Sequence, residues 1–215
     1  WFQRYYSLPL CGAIWSTPPA EIRSFPARAL VQFFRNHALL SSSGQHQWWT
    51  VDGGSIEYVR RLKHCLLGRG VAIRTSSKVR SVTRNGQQSE VHSSAGPQEP
   101  FDHVIFACHS DQALRLLENP TAPETEALSA IRFQDNNMFL HRDTNQMPKR
   151  RSVWSSWVYK ADTTKPEPSI GVSYWMNRLQ NIPENDPLFV TLNPSEPVPD
   201  HLFYDQKTFR HPVFD

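Results

Sequence analysis

The sequence predicts an α+β fold, and three features carry that expectation. Residues 27–40 and 55–67 repeat apolar side chains at helical spacing. An Asn-Gly dipeptide, Asn85-Gly86, lies between two short β-type runs, a strong short-range hairpin signal. Beyond residue 132 the chain turns strand-like and proline-interrupted, with no helices between the strands, which predicts an antiparallel sheet.

Taken in order, residues 1–18 are aromatic and broken by prolines, and Pro19 is placed to open a helix with Thr17 nearby as its cap. In 27–40 the apolar positions are Ala29, Leu30, Phe33, Phe34 and Leu40, and the serines that follow, with Gly44, end the helix. Trp48 and Trp49 fall on a strand or loop. Asp52-Gly53-Gly54-Ser55 makes a turn and opens the 55–67 helix, whose buried side is expected to carry Ile56, Val59, Leu62, Cys65 and Leu66. Gly68 and Gly70 stop it. Residues 71–74 read as a short strand, and 79–83 with 89–92 as the hairpin arms. The nearly continuous apolar run 103–107 reads as a strand buried on both faces. Helices are expected over 110–117 and 124–131, then strands over 138–141, 152–159, 169–175 and 188–192.

Composition narrows the function classes. The 215 residues are 39% hydrophobic and 20% charged, enough apolar content for a core and too much for a disordered chain. A net charge of +3 spread along the chain gives little support to nucleic-acid binding. Lys149-Arg150-Arg151 is the densest basic run, and a solvated turn accounts for it. No apolar stretch approaches the ~18 residues of a spanning helix, and no signal peptide opens the chain. Cys11, Cys65 and Cys108 lack metal-ligand spacing and suit buried thiols in a reducing, cytoplasmic setting. Trp1 and Asp215 both interrupt apolar or aromatic segments, so the sequence reads as internal to a longer protein.

Motifs of the common catalytic kinds are missing. The sequence has no G-x-G-x-x-G, P-loop, CxxC, HExxH or G-x-S-x-G. Its histidines, among them His37, His46, His103 and His109, are scattered and assemble no triad. Gly53-Gly54 would let backbone approach a ligand closely at a helix N-terminus, or serve as a plain turn. Trp48-Trp49 would line an apolar pocket with one of its two rings, or pack in a core.

The order of segments is more telling than any one motif. A helix opened by Gly-Gly leads to Val71-Ala72-Ile73, then Val79, the Asn-Gly hairpin, and Asp102-His103-Val104-Ile105-Phe106-Ala107. This order resembles the second contribution to the FAD domain in the flavin-containing amine oxidase superfamily, which includes monoamine oxidases, protoporphyrinogen oxidases and carotenoid desaturases. Longer phrases are similar to a bacterial subgroup of NAD/FAD-binding proteins. They are Cys11-Gly12-Ala13-Ile14-Trp15-Ser16, Asn36-His37-Ala38-Leu39-Leu40, Val51-Asp52-Gly53-Gly54-Ser55, Tyr174-Trp175-Met176-Asn177-Arg178-Leu179-Gln180, Thr191-Leu192-Asn193-Pro194 and His211-Pro212-Val213-Phe214-Asp215.

The resemblance implies a discontinuous, Rossmann-like FAD-binding domain, contributed by 52–110, and a substrate domain with an antiparallel sheet. Residues 1–51 would supply that domain's helices and cavity segment, and 111–215 its sheet. It implies FAD as cofactor and a small-molecule substrate, either an amine or a lipid-like molecule, oxidised by hydride transfer to the flavin. A non-catalytic scaffold with the same fold and a flavin-dependent isomerase are the alternatives. By the same resemblance the backbone of Val79 meets the adenine, Ala107 and Cys108 lie against the ADP half, and Gly53 and Gly54 are cofactor-side. His109 stands where the family often has proline. Gln47 and Trp48 fall on the substrate cavity. Asn137 falls where many amine oxidases place a lysine that holds a water near flavin N5, with Asn136 as the alternative register. Asparagine can hold a water but cannot accept a proton as a tuned lysine can, which sets a desaturase or dehydrogenase beside an amine oxidase. The chain alone is expected to bind FAD weakly or not at all.

Overall fold

A computed structural model describes residues 1–15, 21–41, 43–44, 46–97, 100–161 and 170–213. It is α+β, and the chain divides into two compact units, residues 1–59 with 133–215, and residues 60–132.

The first unit is built on a five-stranded antiparallel sheet. A π-helical turn, Gln3–Ser7, leads into α1 (Leu8–Trp15), and α2 (Ala27–Asn36) follows. Pro9 accounts for the widened turn. In a regular helix its ring would clash with the carbonyl four residues back, and it has no N–H to satisfy that carbonyl. That carbonyl belongs to Tyr5, and the Tyr159 hydroxyl donates to it at 3.4 Å. The prolines of 1–18 therefore conceal a helix that the sequence reading missed. The expected helix start at Pro19 with Thr17 lies outside the described residues. The helix lying on the sheet is α1, with buried Cys11, Gly12 and Ala13, while α2 meets α1 through Trp15 and Phe33, ring centroids 5.0 Å apart.

The second unit is small. After α3 (Ser55–Gly68), whose first residues belong to the first unit, come β1 (Val79–Asn85), β2 (Gln88–Ser93) and the short β3 (Gly96–Pro97). Asn85 pairs directly with Gln88, so the hairpin turn is Gly86-Gln87 rather than Asn85-Gly86. Gly86 has φ +65° at the first central position, where the type II′ hairpin turn wants glycine. Then follow α4 (Ser110–Leu116) and α5 (Ala122–Ser129). Val82 and Ala113 are the buried apolar side chains among this unit's described residues. Thr121 caps α5 in a capping box with Glu124, which also accepts both guanidinium nitrogens of Arg84 at 2.8 and 2.9 Å. One carboxylate thus ties the end of β1 to the start of α5.

Three expectations in 55–107 fail. Neither 71–74 nor 103–107 forms a strand, and Ile105 is 90% exposed. A strand buried on both faces requires partner strands and covering layers, and the described residues supply neither. The expected buried side of α3 is likewise uncovered, with Ile56 and Val59 each half exposed. Periodicity chose the face correctly as apolar, but Ile56, Val59, Leu62 and Cys65 on it are exposed and Leu66 is only partly buried.

The remaining strands are β4 (Phe133–His141), β5 (Trp157–Ala161), β6 (Ile170–Trp175), β7 (Phe189–Leu192) and β8 (Phe203–Pro212), with the short α6 (Met176–Gln180) between β6 and β7. The sheet order is β5-β6-β7-β4-β8, antiparallel throughout. β8 falls within the segment expected to supply the sheet but follows the last expected strand, 188–192, and was not itself foreseen. It is an edge strand, exposed along most of its length, so it lacks the apolar alternation that marks the others. The apolar core of the sheet is Phe189, Trp175 and Met147, with Trp154 and Val158 packed against it.

Because Arg84 and the Thr121 cap both favour the carboxylate, Glu124 is held down to about 2. Its contribution to stability is therefore present above the ordinary carboxylate range and lost as pH falls from about 4.5 toward 2. Substituting Arg84→Met should bring the Glu124 titration, followed by carboxyl NMR, back up toward the ordinary range. It should also flatten the acid limb of the unit's stability.

Candidate functional site

β4 positions the asparagine pair that the sequence singles out. Successive strand residues face opposite sides, so Asn136 and Asn137 point apart. Asn137 is exposed, and its Oδ1 accepts from Thr208 Oγ1 of β8 at 2.8 Å. Asn136 is 3% exposed, and its Oδ1 accepts from Asn193 Nδ2 at 2.7 Å. Asn193, just past β7, closes the arrangement. Its backbone N–H donates to Asn137 O at 2.8 Å, and its Oδ1 accepts from Asn137 N at 3.0 Å. Asn193 holds this pose at φ +47°, a left-handed conformation that asparagine tolerates better than most residues. Gly171 faces it across the ladder, where a Cβ would lie 3.2 Å from the Asn193 carbonyl oxygen. The Thr191-Leu192-Asn193-Pro194 phrase thus meets the Asn136-Asn137 pair.

The glycine pair is a second junction of recognised phrases. Gly54 N–H donates to Val51 O at 3.0 Å, closing a turn with Gly53 at φ +79°; Gly54 follows at φ +83° and α3 begins at Ser55. A Cβ on Gly54 would sit 2.9 Å from Gln180 Oε1, so Val51–Ser55 and the end of the Tyr174–Gln180 phrase are adjacent. Asn177 explains much of that latter phrase. It is buried, donates to the carbonyls of Pro183 and Asp186 at 2.8 Å each, and accepts from Leu188 N at 2.7 Å, fixing the loop before β7.

Gln47 and Trp48 lie on an exposed segment. Gln47 Nε2 donates to Trp48 O at 3.1 Å, and Trp48 is 69% exposed with its ring stacked on the His37 side, centroids 6.3 Å apart. In the other unit, half-buried Val79 starts β1 opposite Ser93 beside a register shift, while Ala107 and Cys108 are exposed on the irregular segment before α4. His109 is the N-cap of α4, and its N–H donates to Gln112 Oε1 at 3.4 Å. A proline there would have no N–H to give. An open, polar surface hollow of about 580 Å³ is lined by Asn177, Arg178, Asn181, Ile182, Pro183 and Glu184, none of them among the expected site residues. Among the described residues no cluster of His, Cys, Asp or Glu could hold a metal ion.

A buried polar chain on β4 escaped the sequence reading. His141 is fully buried, and Asp143 N–H donates to its Nδ1 at 3.0 Å. Nδ1 is therefore the acceptor nitrogen and Nε2 carries the proton. Nε2 donates to Thr191 Oγ1 at 2.7 Å, Thr191 to Ser173 Oγ at 2.8 Å, and Ser173 to Gln146 O at 3.3 Å. Every link has one donor and one acceptor only if His141 is neutral. Burial pushes the imidazole below its ordinary value, against the opposing pull of Asp143. The only signal in the sequence was polar residues at inward strand positions, which do not announce their partners.

Residues 7–141 match the family described as flavin containing amine oxidoreductase, so the chain belongs to that family. No curated protein matches the chain. Among solved structures it is similar to a protein from Exiguobacterium sp. 255-15 provisionally named a protoporphyrinogen oxidase, at 13% identity and a TM-score of 0.52, over 96% of this chain and 51% of that one. It also matches a CLA-producing fatty acid isomerase from P. acnes at 12% identity, over 64% of this chain and 35% of that one, with a TM-score of 0.42, a likeness too slight to argue from. The chain thus spans about half of the first relative's length and a third of the second's. Among the described residues no helix is long and apolar enough to cross a membrane.

Two outcomes follow for these sites. Replacing either Gly53 or Gly54 by alanine should cost about 1–2 kcal/mol in denaturant unfolding, since both sit at positive φ. The Gln180 amide at Gly54 is a flexible side-chain end and can yield, so the backbone sets the cost. His141→Leu takes the donor from the Thr191 oxygen and the acceptor from the Asp143 N–H, and should cost about 2–4 kcal/mol. Because the folded-state value of His141 is depressed, the unfolded chain takes up its proton first. Stability should therefore decline as pH falls below about 6.5, a slope that the leucine variant loses.

Proposed function

We propose that the protein to which this chain belongs is an FAD-dependent oxidoreductase acting on a small amine or an apolar, lipid-like molecule. The observation that carries this reading is the match of residues 7–141 to the flavin-containing family. When bound, the flavin supplies the hydride acceptor, and the protein supplies binding, orientation and electrostatics.

The residues present fit part of such a site. The two positive-φ glycines allow close backbone approach at the start of α3. Val79 opens a strand whose neighbouring backbone is irregular, and Ala107-Cys108 is accessible beside a capped helix start. In this reading Val79 takes the adenine side, Ala107 and Cys108 the ADP side, and Gly53 and Gly54 the approach to the cofactor. Gln47 and exposed Trp48 form the substrate wall, where an indole face suits an apolar or cationic group. Asn137 holds solvent or substrate by hydrogen bonding without taking a proton. What the chain lacks is a glycine-rich dinucleotide loop to cradle the pyrophosphate. Of the three cysteines Cys11 is buried as expected while Cys65 and Cys108 are exposed, and their unpaired thiols support a reducing, cytoplasmic setting.

The full-length protein, purified without added cofactor, should be yellow, and substrate should bleach it under anaerobic conditions. Residues 1–215 alone should bind FAD at well under one equivalent in equilibrium dialysis. A colourless full-length protein that takes up no added FAD would overturn the reading.

A further inference from the structure

One face of the β1–β2 hairpin carries a run of polar contacts that the flavoprotein reading does not use. Side chains two apart on a strand share a face, and so do residues paired directly across the ladder. Thr83 and Asn85 on β1 therefore stand with Gln88, Glu90 and His92 on β2. Their contacts run diagonally. Thr83 Oγ1 lies 3.2 Å from His92 Nε2, and His92 Nε2 lies 3.8 Å from Glu90 Oε2. Asn85 Nδ2 donates to Glu90 Oε1 at 2.9 Å. Asn85 is thus where the run reaches the turn, and its amide faces a carboxylate.

Asparagine is among the chemically labile residues, and the residue after Asn85 makes it reactive. Gly86 has no side chain to crowd its nitrogen, sits at φ +65°, and has open space where a Cβ would lie. Because Asn85 and Gln88 close the ladder, the Gly86 N–H falls within the turn, where it donates to no described group. Asn85 and Gly86 are both exposed. An unshielded backbone nitrogen therefore stands beside the side-chain amide carbon, and a bond between the two closes a small ring. The other asparagines lack this arrangement. Asn85 is the one asparagine followed by glycine, Asn119 and Asn193 precede prolines with no N–H to give up, and the rest precede residues with side chains.

We propose that Asn85 is a site of spontaneous covalent modification, deamidation through a cyclic imide. The Gly86 nitrogen forms a bond to Asn85 Cγ and gives up its proton. The Cγ–Nδ2 bond breaks, and Nδ2 leaves with that proton as ammonia. Water then opens the ring, at the side-chain carbonyl to leave aspartate or at the backbone carbonyl to leave isoaspartate. Nothing is oxidised or reduced; a water is consumed and an ammonia released. The product puts a carboxylate where the donor was. The Asn85–Glu90 hydrogen bond becomes a contact between like charges, which destabilises a cross-strand pair. The turn end of the hairpin therefore loosens as the protein ages, with or without flavin.

The test is peptide mapping by mass spectrometry of the full-length protein, freshly purified and after weeks at neutral pH and physiological temperature. The variants Asn85→Gln and Asn85→Asp are carried alongside. The expected result is a mass gain of OH over NH2 that grows with time, fastest in the peptide holding Asn85, with aspartyl and isoaspartyl products separating in chromatography. Asn85→Gln, whose longer side chain cannot close the same ring, should show no gain at that position. A peptide that keeps its amide throughout, or another asparagine that converts as fast, overturns the proposal. The consequence is read separately, by amide hydrogen exchange across residues 79–93. Asn85→Asp should exchange about two- to fivefold faster than the natural sequence at the turn end of the hairpin, while Asn85→Gln should not. Equal exchange in Asn85→Asp and the natural sequence overturns the loosening.

Discussion

β4 is hydrogen-bonded along both edges, to β7 on one side and β8 on the other, and the site chemistry of the first unit hangs from that double pairing. The register with β7 sets Met138 opposite Leu192 and His141 opposite Phe189. That register carries Asn193 to the Asn136-Asn137 pair at one end and Thr191 to His141 at the other. A slip of one residue would turn every one of these side chains to the wrong face. The two polar systems therefore do more than add hydrogen bonds. Each is satisfied in a single register, so together they specify the pairing that apolar strands alone would leave loosely determined.

The two ends of β4 also differ in kind. The His141 system is closed: each donor finds an acceptor within the chain, ending on the Gln146 carbonyl. The asparagine system is open, ending on an amide that meets no acceptor among the described residues. A closed network buried under an apolar cluster belongs to folding. An open one, beside a left-handed asparagine and a glycine that tolerates its close approach, marks the end of the strand where local strain is maintained.

Sequence reading succeeded where the structural cause is local. The helices α2 and α3, the hairpin and most sheet strands follow from periodicity and turn chemistry within a few residues. It failed where the cause is distant. Residues 71–74 and 103–107 are apolar enough for strands, yet a strand is made by its neighbours. The α1 helix was hidden by Pro9, whose cost is met by a tyrosine far along the chain. Of the candidate site, the residue types were legible, including the asparagine pair and the two glycines. Which asparagine turns inward depends on the β4 pleat, and that Asn193 and Gln180 are their neighbours depends on sheet order. Neither is written in the local sequence.

The exposed edge formed by β8 bears on how the protein behaves at high concentration. An unpaired ladder invites a strand from another molecule and can seed fibril-like growth. Along β8 the side chains include Asp205, Lys207, Arg210 and His211, and Pro212 removes the last donor. An incoming copy would have to bring these charges alongside its own and would find the ladder stopped at one end. The strand that escaped detection for want of an apolar pattern is, for that same reason, a poor template for aggregation.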